Sequence, residues 1–574
     1  MASLYPKKVN GKTYWYLREM ARVAGKPRMV SERYLGSAAD LAAAVGATGE
    51  AARPARTRHL AFGDVAAVWA TMARLDVVGV IDEVTGGKVP GAGASVGTYL
   101  ALAALNRVVD PCSKRGFAQW WTTTAGDRFT RIGATALDHR RFWDAMHAVT
   151  ADQLGVIEAR ITAAMIEEFD LDTSALALDM TNFATYLDTG NDKAPIAQRG
   201  KAKQKRADLR LVGLGLVVTR DGGIPLVSHA YAGNRPDVTQ FASVIDKLTG
   251  GYRSLLTQYA TAHTATRTGS AEVTVVFDAG QNSEPNFAHL VESGLHYVGS
   301  APPSDHADLL ALTSSARKPV DPERFGDLSA LETRRTIYGR DQRVILTHSP
   351  TLHHKQARGL DQTLAKAGAR LDDLAATLAR GKTRRGRGQV ETEITSICAN
   401  TWAKRVITWE LTGDTPAKHR LTWRIDTAAR KELETEIFGK RILITDHDDW
   451  PVADVVAGYR SQCDAEFSFR QLKDPHVVSF SPMHHWTDHN IRVHTYTCVL
   501  ALQIAHLMRR QAEHAGLHFS VRALLADLAG IEETVLIYPS TGGRPKARRM
   551  LTETSTQQNK LIDILGLQPL APPT

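Results

Sequence analysis

The sequence predicts an α/β protein: a mixed sheet flanked by helices, with an inserted α+β subdomain and a helical N-terminal region. Three observations lead there. Residues 62–168 repeat apolar positions every three or four residues, as helices do. Residues 174–300 read as three strands, helix, strand, helix, strand, and hairpin-joined strands followed by crossover units make a mixed sheet. A stretch at 302–440 breaks that order before a strand and helices resume at 441.

Composition narrows the class of function. The net charge of +9, from 70 Lys and Arg against 61 Asp and Glu, favours an anionic partner such as nucleic acid. The 43% apolar and 23% charged content is that of a globular chain and excludes disorder throughout. Cys112, Cys398, Cys463 and Cys498 make no Cys-x-x-Cys pair, so no disulfide scaffold is expected and the reducing cytoplasm is the expected compartment. The first residues lack a signal peptide's apolar stretch, and no run approaches about 18 apolar residues, so no membrane association is expected.

Residues 1–58 read as a strand hairpin and linker: 12–18 and 27–35 alternate apolar and charged positions around a turn at 24–26. Residues 59–168 are helical and a candidate DNA-binding region; Asp64 can cap a helix carrying Val65, Val68, Trp69, Met72 and Leu75. Residues 169–301 supply the first part of the core, with strands at 175–183, 211–219, 224–231, 272–278 and 295–300. The continuous apolar run of 272–278 suits a central strand. Residues 302–440 are the insertion, with a helix at 355–380, a Gly/Arg loop at 381–388 and two strand candidates at 405–411 and 419–425. Residues 441–513 resume the core with a strand, a helix from about 452 to 472 and an apolar helix at 490–513. Residues 514–574 form a helical and basic tail.

Two carboxylates stand in apolar strands. Asp179 lies between Leu178 and Met180, and Asp278 ends the run Val273–Phe277. An ionised carboxylate there is costly unless paired or bound to a metal. Tyr459, Gln462, Glu466, Arg470 and Lys473, spaced three, four, four and three residues, form a stripe along one helix face. Asp179, Asp278 and Glu466 together suit two Mg²⁺ ions, with Mn²⁺ as a substitute, and two such ions serve phosphoryl transfer. Arg470 and Lys473 can bind a phosphate backbone, with Tyr459 and Gln462 as hydrogen-bonding groups. Lys205 and Arg206 after the first strand, and Arg384 and Arg385 in the Gly/Arg loop, are further candidates for contact with DNA. Asp172 is a rival to Asp179, and Asp446 and Asp449 are rivals to Glu466.

These motifs resemble the DDE transposases of bacterial insertion sequences, whose catalytic core is ribonuclease H-like. The resembling subgroup has a Tyr-Arg-Glu-Lys type catalytic helix and an insertion before the catalytic Glu. Tyr459, Glu466 and Lys473 match that helix; Gln462 stands where the pattern has Arg. Asp179 and Asp278 match the two strand acids. The 188 residues between Asp278 and Glu466, against 99 between Asp179 and Asp278, fit the branch with the insertion. The resemblance implies a transposase that binds the terminal inverted repeats of a mobile element and carries out metal-dependent strand cleavage and strand transfer. It also implies double-stranded DNA as partner, a homodimer on DNA, and a base-stacking aromatic in the insertion for some members. Trp402, Trp409 and Trp423 are candidates for that stacking, although packing of the insertion accounts for them better.

Other chemistries find no support. His485 and His489 lack the Glu of a zincin pattern. No dinucleotide fingerprint, Walker loop or nucleophile elbow is present, so no nucleotide cofactor is expected. A non-catalytic DNA-binding derivative of a transposase and a structure-specific nuclease on the same core remain as alternatives.

Overall fold

A computed structural model describes residues 2–23, 26–47, 53–88, 91, 93–188, 190–201, 208–264, 273–312, 314–481, 483–539 and 546–573. The chain divides into two compact units. One comprises Met1–Ala66, Trp120–Arg131 and Ala526–Thr574; the other comprises Ala67–Gln119 and Ile132–Leu525.

The larger unit is built on one nine-stranded mixed sheet. Ala175–Thr185 (β1), Arg210–Thr219 (β2) and Pro225–Ala232 (β3) form an antiparallel meander. Thr274–Phe277 (β4) runs parallel to β1 on its other side, and His296–Ala301 (β5) runs parallel to β4. Lys318–Pro319 (β6), Ser329–Ile337 (β7), Arg340–His348 (β8) and Lys440–Thr445 (β9) continue the sheet in the order β6-β7-β8-β9-β5-β4-β1-β2-β3. All four residues of β4, and all of β2 after Arg210, are buried, as continuous apolar runs require. The crossovers are helical: Phe241–Thr264 leads into β4 and Glu284–Glu292 into β5. Ala151–Phe169 precedes β1 and starts with a capping box of Thr150 and Gln153. Asp488–His514, largely buried, packs on the Val96–Val109 helix and on β3.

The insertion is narrower than the 302–440 read from sequence. β6, β7 and β8 fall in that range yet belong to the main sheet. β7 is mostly polar and β8 carries only the short run Val344-Ile345-Leu346, so neither shows a strong strand pattern. The inserted segment lies between β8 and β9 and has its own core. Leu364, Leu371, Leu374 and Leu378 of the Pro350–Ala379 helix pack with Val390 and Ile394 of the Arg387–Ile397 helix. A hairpin of Ile407–Thr412 and Arg420–Ile425 completes it.

Non-local pairing also reshapes the smaller unit. The expected hairpin is a three-stranded sheet of Ala2–Val9, Lys12–Val23 and Lys26–Ser37. The expected linker contains the helix Ala38–Ala47 and the strand Arg56–Ala61. That strand pairs with Glu532–Ile537, which pairs in turn with Ala547–Leu551 of the basic tail. Arg128 and Arg549 both pair with the buried Glu533 in this unit.

Leu371 is fully buried in the insertion core. Leu371→Ala should cost about 2–5 kcal/mol by removing packed methyl groups. Hydrogen exchange should speed up across residues 355–438 while protection of β1 and β4 holds. Equal loss of protection in both would mean that the insertion has no core of its own.

Candidate functional site

The site begins with strand register. β1 and β4 are parallel, with Leu178 opposite Phe277, so the next residue on each, Asp179 and Asp278, stand side by side. Register-matched positions on neighbouring strands lie about 4.8 Å apart. Asp179 is half-buried in mid-strand, whereas Asp278 is exposed where β4 ends. Met180 N donates to Asp179 Oδ1 at 2.7 Å, and Gly280 N donates to Asp278 Oδ1 at 3.2 Å. Asp278 therefore caps its turn as well as marking the sheet edge.

A helix then lies against β1. The expected helix 452–472 is two, Val452–Arg460 and Gln462–Lys473, separated at Ser461. There Ser461 N donates to both Ala457 O and Gly458 O, and Ser461 Oγ donates to Gly458 O at 2.6 Å. This local bonding tightens the turn and breaks the register of the stripe between Tyr459 and Gln462. The second helix is tied to β1 at both ends. Gln462 Nε2 donates to Leu178 O at 3.0 Å, and Lys473 Nζ donates to Thr181 Oγ1 at 2.7 Å. Ala465, Ser468, Phe469 and Leu472 are buried and seat it, while Glu466 is exposed between the two ties.

Tyr459 links the pieces. Its hydroxyl donates to Ser300 Oγ at 3.2 Å. Burial raises its pKa above the ordinary phenol value; Ser300 and Arg441 oppose the shift, and the charges of Asp278 and Glu466 add to it. One phenol thus feels both acids. On the other flank, Tyr231 of β3 lies across Gly213 of β2, where an added Cβ would meet the ring at 2.2 Å. Tyr231 Oη donates to Asp237 Oδ1 at 2.6 Å. Burial, the Asp237 bond and the charges of Asp237 and Asp179 keep this phenol protonated.

Among the described residues, the one set of three His, Cys, Asp or Glu side chains whose ligand atoms lie within 4.8 Å of one another is His296, Asp446 and His447. Asp179, Asp278 and Glu466 do not converge that closely. The rival acids lie elsewhere. Asp172 precedes β1 and accepts from Ser174 N, and Asp446 follows β9 and accepts from Tyr297 N at the start of β5. Both are at the opposite edge of the sheet from Asp278.

Gln462 is buried and anchors the helix to β1, a position inside the fold rather than on a phosphate-binding surface. Arg470 is exposed on the same helix, and Arg384 is exposed in the insertion. Arg385 is engaged by Glu393 within the insertion. Lys205 and Arg206 lie outside the described residues. Trp402 packs on Phe438, and Trp423 fills the space over Gly368 while its Nε1 donates to Asp372. Trp409 stays partly exposed. Sequence reasoning missed Tyr231, Ser300 and Arg441, and a cavity of about 460 Å³ beside Tyr459 that brings together Lys355, Arg441 and Arg460. Those cations come from three distant segments. Gly213 within an apolar strand was the one available signal for the Tyr231 crossing.

No protein-family model matches the sequence, and no curated protein matches it. A solved piggyBac transposase synaptic complex with hairpin DNA is similar to this chain with a TM-score of 0.34 and 10% identity, over 81% of this chain and 79% of that one. At that level of similarity the functional reading rests on the geometry of the site.

Burial pushes the Asp464 carboxyl, on the same helix, up from 3.8 to about 6, although Arg509 and Arg220 pull it down. A folded-state pKa raised above the unfolded one means that the folded chain holds its proton more tightly. The contribution of Asp464 to wild-type stability should therefore fall as pH rises from about 4 to about 6, then level off. Asp464→Asn should lack this decline, so its urea midpoint relative to wild type should rise across that window. A constant difference would show that Asp464 titrates normally.

Proposed function

We propose that the chain is a DDE-type transposase with a ribonuclease H-like core, cutting and joining DNA with Asp179, Asp278 and Glu466 as its catalytic acids. The observation that carries this reading is the side-by-side placement of Asp179 and Asp278, with the Glu466 helix tied to β1 at Leu178 and Thr181. The antiparallel meander β1–β3 followed by parallel β4 and β5 supports the ribonuclease H-like assignment.

The donor set suits Mg²⁺, with Mn²⁺ as substitute. Asp179, Asp278 and Glu466 offer hard oxygens, and Gln462 Oε1 is buried beside β1 with no hydrogen-bond partner among the described residues. These residues would hold the ions. Two bound ions supply an activated attacking oxygen and a stabilised leaving oxygen. Gln462 and Lys473 hold the helix that carries Glu466 against β1, the strand of Asp179. The Lys473 cation lies two residues along β1 from Asp179, near enough to the site to attract a DNA phosphate. Lys355, Arg441 and Arg460 give the adjoining cavity the same preference.

Residues 2–37 carry eight Lys and Arg against two Glu, the described residues of their three-stranded sheet are largely exposed, and this sheet is our candidate for further duplex contact. Action on the inverted repeats of a mobile element, as a homodimer pairing two ends, is part of the same proposal.

The test is a cleavage and end-joining assay with Mg²⁺ or Mn²⁺ on DNA carrying the inverted repeats that flank the gene. Glu466→Gln should lower cleavage by more than about 100-fold, since even outer-shell partners of a metal are worth about 10–100-fold. Asp172→Asn, at the far sheet edge, should leave it near wild type. Cutting without joined products would point to a structure-specific nuclease. Specific binding without cutting by folded wild type would point to a non-catalytic DNA-binding protein.

A second expectation concerns affinity. Lys8→Ala combined with Arg33→Ala should weaken binding to unrelated duplexes uniformly and reduce the salt slope by about 2. An unchanged slope would remove the N-terminal sheet from the DNA interface.

A further inference from the structure

At the opposite edge of the main sheet, where β4 and β5 begin and β9 ends, a second cluster has a different chemistry. His296 opens β5, while Asp446 and His447 directly follow β9. One ligand atom from each lies within 4.8 Å of the other two. His296 Nδ1 is 3.0 Å from Asp446 Oδ2, and the two imidazoles are stacked with centroids 4.7 Å apart. An ion pair accounts for His296 and Asp446. It does not account for a second imidazole, 3% exposed, brought to the same point.

We propose that His296, Asp446 and His447 form a binding site for a divalent transition metal, with zinc as the ion. Two imidazole nitrogens and a carboxylate oxygen suit zinc and not magnesium, which prefers oxygen alone. Tetrahedral bonds of about 2.0–2.2 Å place ligand atoms about 3.3 Å apart, within a small side-chain adjustment of the spacing here. Asp449 Oδ1, 4.0 Å from His447 Nδ1, is placed to complete the set.

The surrounding groups hold the ligands as a metal site requires. Thr274 Oγ1 is 2.8 Å from His447 Nε2, which orients that ring so that Nδ1 takes the ion. Tyr297 N donates to Asp446 Oδ1 at 2.9 Å, leaving Oδ2 on the His296 side. Trp450 stacks on His447 at 3.9 Å between ring centroids. Arg343 Nη1 donates to His447 O and Trp450 O, fixing the backbone of the turn. The role is structural. The ion would fasten the start of β5 to the end of β9, the turn that leads into the Val452–Arg460 helix and then the Glu466 helix. β4 separates it from Asp278 by about 13 Å along the strand direction. The proposal does not depend on the transposase assignment.

The full-length protein, stripped of metal, would be titrated with zinc alone by calorimetry, with cobalt absorption as a second readout of the ligand field. Wild type should take up one tight equivalent per chain and unfold at a higher temperature when loaded. His296→Ala and Asp446→Asn, with folding checked by circular dichroism, should each lose that equivalent. Thr274→Val should bind about 10–100-fold more weakly, and Asp179→Asn should bind as wild type does. No stoichiometric uptake by wild type would reduce the cluster to an ion pair and overturn the site. So would uptake that survives in both ligand variants, or uptake abolished in Asp179→Asn and kept in His296→Ala.

Discussion

The pairing of β1 with β4 is the constraint on which the rest of the site depends. Parallel strands cannot be joined by a tight turn, so their register is held by crossover elements and by burial on both faces. Here the intervening meander strands and the Phe241–Thr264 helix deliver β4 against β1 with Leu178 facing Phe277. One residue of slip would send one carboxylate to the other face of the sheet. The apolar residues before Asp179 and Asp278 thus act as the clamp for the acids that follow them.

The helix bearing Glu466 is placed by a different device. Its buried residues give it a seat but do not fix its position along β1. Two polar ties do: Gln462 on a strand carbonyl and Lys473 on a strand hydroxyl. A buried hydrogen bond contributes only about 0.5–1.5 kcal/mol net, but a mispositioned helix would leave both partners unsatisfied. The break at Ser461 separates Tyr459 from this helix and lets its phenol reach Ser300. The two edges of the sheet also differ in donor chemistry, oxygen at one and mostly imidazole at the other.

Much of this was legible in the sequence, but unevenly. The core strands and the buried Asp488–His514 helix carry long apolar runs, which are reliable because burial selects them directly. Asp179 and Glu466 stand out in the sequence because a charge inside an apolar strand and a polar stripe on a helix both break the surrounding pattern. β7 and the strand Glu532–Ile537 were not. Both are mixed in composition: β7 pairs with β8 across the two-residue turn 338–339 without a strong apolar pattern, and Glu532–Ile537 pairs with Arg56–Ala61, remote in sequence. Gln462 reads as a solvent-facing hydrogen-bonding residue from spacing alone, and the packed helix turns it inward.

The sequence by itself determined which segments are buried, and with them the acids and cations that apolar neighbours make costly. Local pattern records burial because the hydrophobic effect acts residue by residue. Only the tertiary structure decided which of those residues meet. It put Asp278 beside Asp179, sent Asp446 to the far edge with His296 and His447, and gathered Lys355, Arg441 and Arg460 around one cavity. Strand order and register are properties of the whole sheet, set by non-local pairing that no stretch of sequence specifies alone.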